Sequence, residues 1–363
     1  MYIHERKDWP KFKWNHKKLA DLLVEVRYLQ GRLLGRMEGL GFQLQSMAGL
    51  QTLTQDVIKT SEIEGEKLDG EQVRSSIARR LGIDIGKAKT ADRDVEGIVE
   101  IMLDATRNYK MPLTQERLFG WHAALFPTGR SGMERITVGS WRSKKSGSMQ
   151  VVSGPIGYEK VHYEAPNYKR LRKEMSAFIK WFNSPSEIDH VMKSALAHFW
   201  FVTIHPFDDG NGRIARAIAD MMLARSEKSP QRFYSMSSQI QRERKEYYDV
   251  LEQCQKRDLD ITPWMEWYMH CLKRAIAASE KTLSAVLIKA RFWEAHAGES
   301  FNARQRTILN LLLDGFDGKL TSSKWAKLTK CSQDTALRDI SDLLERAILK
   351  KENAGGRSTS YSL

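Results

Sequence analysis

Cysteine is scarce in this 363-residue chain: Cys254, Cys271 and Cys331 are odd in number, far apart and without a CxxC pair. That excludes a disulfide framework and a zinc knuckle, and it points to a reducing compartment. No stretch of about 18 apolar residues occurs, so no membrane partner is expected. The start, MYIHERKDWPKFKW, lacks the basic segment and apolar run of an export signal, and a cytoplasmic protein is the expectation. Also missing are low-complexity tracts, the Gly-Lys-Ser/Thr of a Walker phosphate loop and an HExxH zinc pair.

What is present describes a packed protein. Hydrophobic residues make up 41%, charged residues 28%, and there are ten tryptophans. The length suggests two or three domains. A formal net charge of +13 favours polyanionic partners such as nucleic acid, nucleotides or acidic protein surfaces.

Apolar residues recur at helical spacing from about Lys17 to Gly39, Leu44 to Glu64, Glu71 to Leu81, Asp92 to Tyr109, and Thr114 to near Leu125. The glycines at 39 or 41, 65 and 82 are left-handed helix stops. From Gly139 to Tyr163 the habit breaks, and the β-favouring Met149-Gln150-Val151-Val152 predicts a small hairpin. Helices resume at about Asn167–Asn183, Glu187–Ile204, Gly212–Ser226, Arg242–Gln255 and Pro263–Ala297. The fold class is all-α with one small hairpin, in three parts: residues 1–110, 111–299 and 300–363.

The densest chemistry lies in HPFDDGNGRIAR, residues 205–216. SALAHFWFVTI before it is an apolar helix, and Pro206 turns His205 out of that helix into a loop. Phe207 anchors the loop, and Asp208 to Gly212 make the turn. A glycine-rich turn that leads into a helix aims free N–H groups and the positive dipole end outward, which makes an anion cradle. Arg213 and Arg216 share one helical face and can grip one polyphosphate. Asp209 beside that cradle suits a magnesium ion. His205 is the one side chain here whose unperturbed pKa lies near neutrality, and it suits proton removal from an attacking hydroxyl. Together these residues predict in-line attack on a nucleotide phosphate.

This segment resembles the signature of the Fic family, His-x-Phe-x-Asp/Glu-Gly-Asn-Gly-Arg-x-x-Arg, at every specified position. The resemblance implies transfer of AMP from ATP to a Ser, Thr or Tyr hydroxyl of a protein, the chain itself included. It implies His205 as general base, Asp209 as magnesium ligand, Gly210, Asn211 and Gly212 as anion hole, and Arg213 and Arg216 on the β- and γ-phosphates. It further implies a flap over Met149–Gly157, with Val151, Val152, Ser153 and Gly154 beside the nucleotide and target. Tyr247 of the Tyr247-Tyr248 pair is the better match to the family's adenine-pocket tyrosine.

Upstream, TSEIEG puts Glu64 in the last turn of a helix, against the negative dipole end, at a cost of about 0.3–1 kcal/mol. It wants a cation. The stretch resembles the family's inhibitory motif, Ser/Thr-x-x-x-Glu-Gly/Asn, which implies Glu64 paired with Arg216, with Thr60 or Ser61 bracing the turn. HERKDWPKFKW also resembles the opening of the helical domain of such self-restrained members.

Residues 300–363 form a different pattern: helices at Asn302–Leu313, Thr321–Leu328 and Gln333–Arg346, then a glycine-bearing polar ribbon. The order resembles a winged helix-turn-helix, with Thr335 and Arg338 on an exposable face. Eleven Lys and Arg against seven Asp and Glu fit DNA, but such modules also dock proteins or make homo-oligomers. Two other functions stay open from sequence: a DNA-binding regulator that senses nucleotide through this core, and an enzyme that removes AMP from proteins.

Overall fold

The computed structural model describes all residues except 155–157, 159, 314, 317 and 353–358. It leaves the side chains of residues 145, 281, 282, 285 and 286 undescribed. By internal contacts the chain divides into two units, Met1–Ser279 and Glu280–Leu363.

The first unit is almost wholly helical. It holds α1 (His16–Glu38), α2 (Phe42–Ile63), α3 (Gly70–Leu81), α4 (Arg93–Arg107) and α5 (Gln115–Leu125). Two short hairpins follow, β1–β2 (Arg130–Ser131, Glu134–Arg135) and β3–β4 (Gln150–Ser153, Lys160–Glu164). Then come α6 (Leu171–Asn183), α7 (His190–Ile204), α8 (Asn211–Glu227), α9 (Met236–Arg242), α10 (Arg244–Gln255) and α11 (Thr262–Ala295).

Local chemistry explains most helix ends. Asn15 accepts from Lys18 N, Asp69 from Glu71 N and Gln72 N, and Thr114 from Arg117 N, each capping free amides of the first turn. Gly82 ends α3 in the left-handed region at φ 68°. The helix α7 is apolar almost all round, as a helix buried on every side must be, whereas α8 is equally buried but carries Arg213, Arg216 and Asp220, and the two pack against each other at the centre. Around them, α4 lies on α5 and α8, and α2 on α3 and α9.

Three features depart from the sequence pattern. Gly39 ends α1 in the right-handed region at φ -70° and Gly41 is extended at φ -60°, so neither is a left-handed stop. The β1–β2 hairpin was not expected, and the helix expected over Arg242–Gln255 is broken at Glu243, with α9 preceding it. In α9 the polar residues Ser237 and Gln239 are buried, which hides its periodicity. It is held instead by Asp56 of α2, which takes hydrogen bonds from Ser237 N and from the capping Ser235 hydroxyl. No helix among the described residues is long and apolar enough to cross a membrane.

The second unit begins within α11 and adds α12 (Ala303–Leu313), α13 (Ser322–Thr329), α14 (Gln333–Glu345) and the antiparallel ribbon β5–β6 (Lys350–Lys351, Tyr361–Ser362). Ile308, Leu309, Leu320, Trp325, Ile340 and Leu343 make its core. The element order matches the sequence expectation, and the tip of the ribbon, 353–358, lies outside the described residues. Arg338 is exposed, whereas Thr335 is half-buried, its amide and hydroxyl turned to the capping Ser332.

Candidate functional site: an anion cradle between two buried helices

The loop 205–210 joins α7 to α8, so its conformation is set by two helices that cannot move apart without exposing the core. Asn211 closes it: Oδ1 accepts from Phe207 N and Nδ2 donates to Phe207 O, both at 2.9 Å. This amide pair is the physical reason for asparagine between the two glycines. Asn211→Ala would leave both Phe207 groups unpaired inside the protein, costing about 2–4 kcal/mol, read as a lowered urea midpoint at unchanged m. Gly210 sits at φ 78°, and a Cβ there would lie 2.9 Å from Phe126 Cε2, so a side chain is excluded both by conformation and by contact.

His205 caps α7 in the left-handed region at φ 51°. Its Nδ1 lies 3.1 Å from Val202 O, a partner that can only accept. The proton therefore belongs on Nδ1, and Nε2 keeps a free lone pair. Burial pushes the imidazole down to about 4, partly opposed by the Val202 hydrogen bond, so the ring is neutral at neutral pH.

Several residues that carried no sequence signal hold this loop. Arg142, buried, donates through Nε to His205 O at 2.7 Å and through Nη2 to Pro166 O, while its amide donates to Pro206 O at 2.9 Å. Burial brings its pKa down to about 10, with Asp208 opposing. His122 stacks on Phe207 at 4.2 Å between ring centroids. Its Nδ1 accepts from Gly139 N and its Nε2 donates to Asp209 O, both at 3.2 Å. Asp208 takes Thr137 N at 2.8 Å and the Ser146 hydroxyl, tying the segment before β3 to the loop. A lone arginine in a run of cations and a lone histidine on a helix gave no pattern to read.

Asp209 is partly exposed. Its carboxylate accepts from the Ser131 hydroxyl and from Gly210 N. Magnesium takes one or two carboxylates together with phosphate oxygens and water, so this single acid at the mouth of a cradle suits it in donor chemistry.

The cradle itself is the N-terminus of α8, and a carboxylate lies in it. Glu64 Oε1 is 2.7 Å from Arg216 Nη2, and a Cβ built on Gly212 would fall 2.0 Å from that same oxygen. Arg216 is also held by Thr60, through Nε to the hydroxyl at 2.6 Å and Nη2 to the carbonyl at 2.8 Å. Thr60, rather than Ser61, is thus the brace. Burial opposes the Arg216 charge, and the Glu64 carboxylate outweighs it, leaving the guanidinium pKa raised. Arg213 is engaged by Glu66, Nη1 to Oε2 at 2.5 Å, with Phe126 under its guanidinium at 5.2 Å. Among the described residues Arg213 Nε and Arg216 Nη1 are buried donors without a partner.

The structure also places the remaining predicted residues. Val151, Val152 and Ser153 lie on β3, which pairs antiparallel with β4 through an irregularity between Val151 and Val152. Gly154 follows at φ 109°, and the expected flap residues up to Gly157 lie outside the described residues from 155 on. Tyr163 on β4 donates to Thr203 O at 2.8 Å, which seats the hairpin against the end of α7. Tyr247 lies buried on α10. Its ring is sealed among His198, Trp264 and Trp267, with its hydroxyl 2.9 Å from His198 Nε2. Tyr248 keeps partial access, with Arg244 5.5 Å over its ring.

Fold and site together define an all-α protein with a glycine-rich loop and a neutral histidine set between two packed, buried helices. Residues 112–223 match the Fic/DOC family, so the chain carries a Fic domain over that stretch. Residues 2–83 match a domain of unknown function, DUF4172. Among curated relatives it is similar to "Protein adenylyltransferase Fic" of Nematostella vectensis, 37% identical over 117 residues, 31% of this chain and 25% of that protein. It is also similar to the protein of that name in Drosophila ananassae, 26% identical over 273 residues, 72% of this chain and 50% of that protein. The chain thus spans half or less of the length of these relatives. Among solved structures it resembles a Fic family protein from Desulfovibrio desulfuricans G20, with TM-score 0.53, 19% identity and 95% coverage of both chains. It also resembles a Fic domain containing signaling protein from Bacteroides thetaiotaomicron, with TM-score 0.54, 19% identity, and 72% and 97% coverage.

Proposed function

We propose that this chain is a protein adenylyltransferase that holds itself in check. It transfers AMP from ATP to a Ser, Thr or Tyr hydroxyl of a protein, itself included. The observation that carries the reading is the Glu64 carboxylate, which sits where an anion would bind, on Arg216 and against Gly212.

The reaction follows from the groups present. The hydroxyl oxygen attacks the α-phosphorus, its proton passes to Nε2 of His205, and the bond to the bridging oxygen breaks so that pyrophosphate leaves. The Nδ1 bond to Val202 O keeps Nε2 the basic atom, and Arg142 fixes the histidine's backbone. The amides that open α8 and the guanidinium groups of Arg213 and Arg216 meet the phosphate charge. Asp209 would hold magnesium, which offsets the phosphate charge when bound. Tyr247, with the half-exposed Tyr248 ring packed edge-on against it at 4.9 Å, would supply the aromatic wall for the base. The relatives' printed name, protein adenylyltransferase, supports this direction.

Restraint follows from competition. While Glu64 holds Arg216, the terminal phosphates cannot take that guanidinium. Incubation with magnesium and ATP labelled on the α-phosphate is expected to label the wild-type chain weakly. Glu64→Gly should label at least about tenfold more, the equivalent of about 1.4 kcal/mol of competing ion pair. ATP labelled on the γ-phosphate should label neither. Equal α-labelling of the two chains would remove the restraint, and γ-labelling would make the reaction a phosphoryl transfer instead.

A further inference from the structure

The turn that carries Glu64 carries a second carboxylate. At the end of α2, Gly65 N donates to Glu62 O and Glu66 N donates to Ser61 O, both at 3.0 Å, with Gly65 at φ 89°. These two bonds and the left-handed glycine make a Schellman turn, a rigid helix ending. Arg244 Nε donates to Ile63 O at 2.8 Å and ties the same ending to the start of α10. The residues on either side of the glycine are therefore delivered as one piece. Glu64 reaches Arg216 at 2.7 Å, and Glu66 reaches Arg213 at 2.5 Å.

We propose that Glu66 is a second inhibitory residue, so that this one turn withholds both phosphate-gripping arginines together. The proposal rests on the reading that Arg213 and Arg216 receive the phosphates of a nucleotide. Both guanidinium groups are buried, with side chains 5% and 2% exposed, and each already has a carboxylate as its ion-pair partner. The two carboxylates differ in surroundings. Glu64 is 29% exposed and Glu66 45%, so water screens the second pair more, and its contribution is the smaller of the two. Because the Schellman turn links them, a shift that frees one arginine frees the other. Restraint is then released as a single event.

The test uses the full-length chain and magnesium-ATP as the probe, with binding and α-label transfer measured for wild type, Glu66→Ala, Glu64→Gly and the double variant. Glu66→Ala is expected to tighten ATP about three- to tenfold, both with Glu64 intact and in the Glu64→Gly background. AMP, which lacks the phosphates that Arg213 would hold, should bind all four chains within about twofold. A general loosening of the fold would instead move ATP and AMP together, and that result would overturn the proposal. So would unchanged ATP affinity on Glu66→Ala in both backgrounds while Glu64→Gly still gains. If Glu64→Gly itself neither binds ATP more tightly nor transfers label, the reading of the site fails, and the second lock fails with it.

Discussion

In the Glu64→Gly background, His205→Ala is expected to lower AMP transfer by about two to four orders of magnitude, the usual contribution of a positioned general base. The structural cost should be small, since the side chain makes one hydrogen bond, to Val202 O, worth about 1 kcal/mol. His205→Asn is the companion variant, because asparagine tolerates the left-handed backbone that His205 adopts at φ 51°. Both should keep the far-ultraviolet dichroism and ATP affinity of the parent while losing transfer measured with α-labelled ATP. Retained transfer in both would take the role of base away from this residue. The pH dependence has a definite sign. A base works unprotonated, and burial brings this imidazole down to about 4. The limb of the rate profile due to His205 should therefore be flat from neutral pH to about 5 and fall as pH approaches 4, with no step near the ordinary histidine value of about 6.5. A step centred near 6.5 that disappears in His205→Asn would contradict the half-buried, neutral state.

Gly97→Ala is expected to destabilise the protein by about 2–4 kcal/mol, opposite in sign to helix propensity. Within α4, alanine in place of glycine should gain about 1 kcal/mol. Yet a Cβ at position 97 would lie 1.9 Å from Ala124 O and 2.7 Å from its carbonyl carbon. Those are backbone atoms of α5, which cannot rotate away as a side chain would, so the whole helix must shift. The shift would reach the site, because Leu125 and Phe126 at the end of α5 are the groups against which Gly210 is packed. Gly120→Ala is the control: it lies on the exposed face of α5 with nothing within 4 Å of its would-be Cβ. Urea melts should show the two substitutions moving the midpoint in opposite directions. A midpoint for Gly97→Ala equal to or above that of the parent would show that α4 and α5 can separate cheaply.

These two positions also mark how far the sequence could be read. His205 lies in a segment where every functional type is adjacent, so the helix stop at Pro206, the cradle and the arginine pair could be derived from local rules. The same holds for the capped ends at Asn15, Asp69 and Thr114 and for the stop at Gly82, because each cap is made within a few residues of the helix end. Gly97 shows no such signal. In one dimension it is a weak residue in a helix, and its necessity comes from α5, a chain segment that meets it only in space. The helix α9 was illegible for a related reason: Asp56 of α2 and burial of its own polar residues hold it in place, not an apolar stripe. Of Tyr247 and Tyr248, adjacency in sequence says nothing about which ring is sealed among Trp264 and Trp267.

The sequence by itself therefore determined the all-α class, and it set the expectations of phosphate chemistry at residues 205–216 and of a cation sought by Glu64. Each follows from short-range rules of helix termini, glycine conformation and charge. Tertiary structure alone decided that Arg142 and His122 hold the loop, that α4 touches α5 through a glycine, and that Glu66 reaches Arg213 while Glu64 reaches Arg216. The physical reason is common to all three. Each depends on groups brought within a few ångströms by packing of distant helices, and no local propensity carries information about a neighbour more than a few turns away.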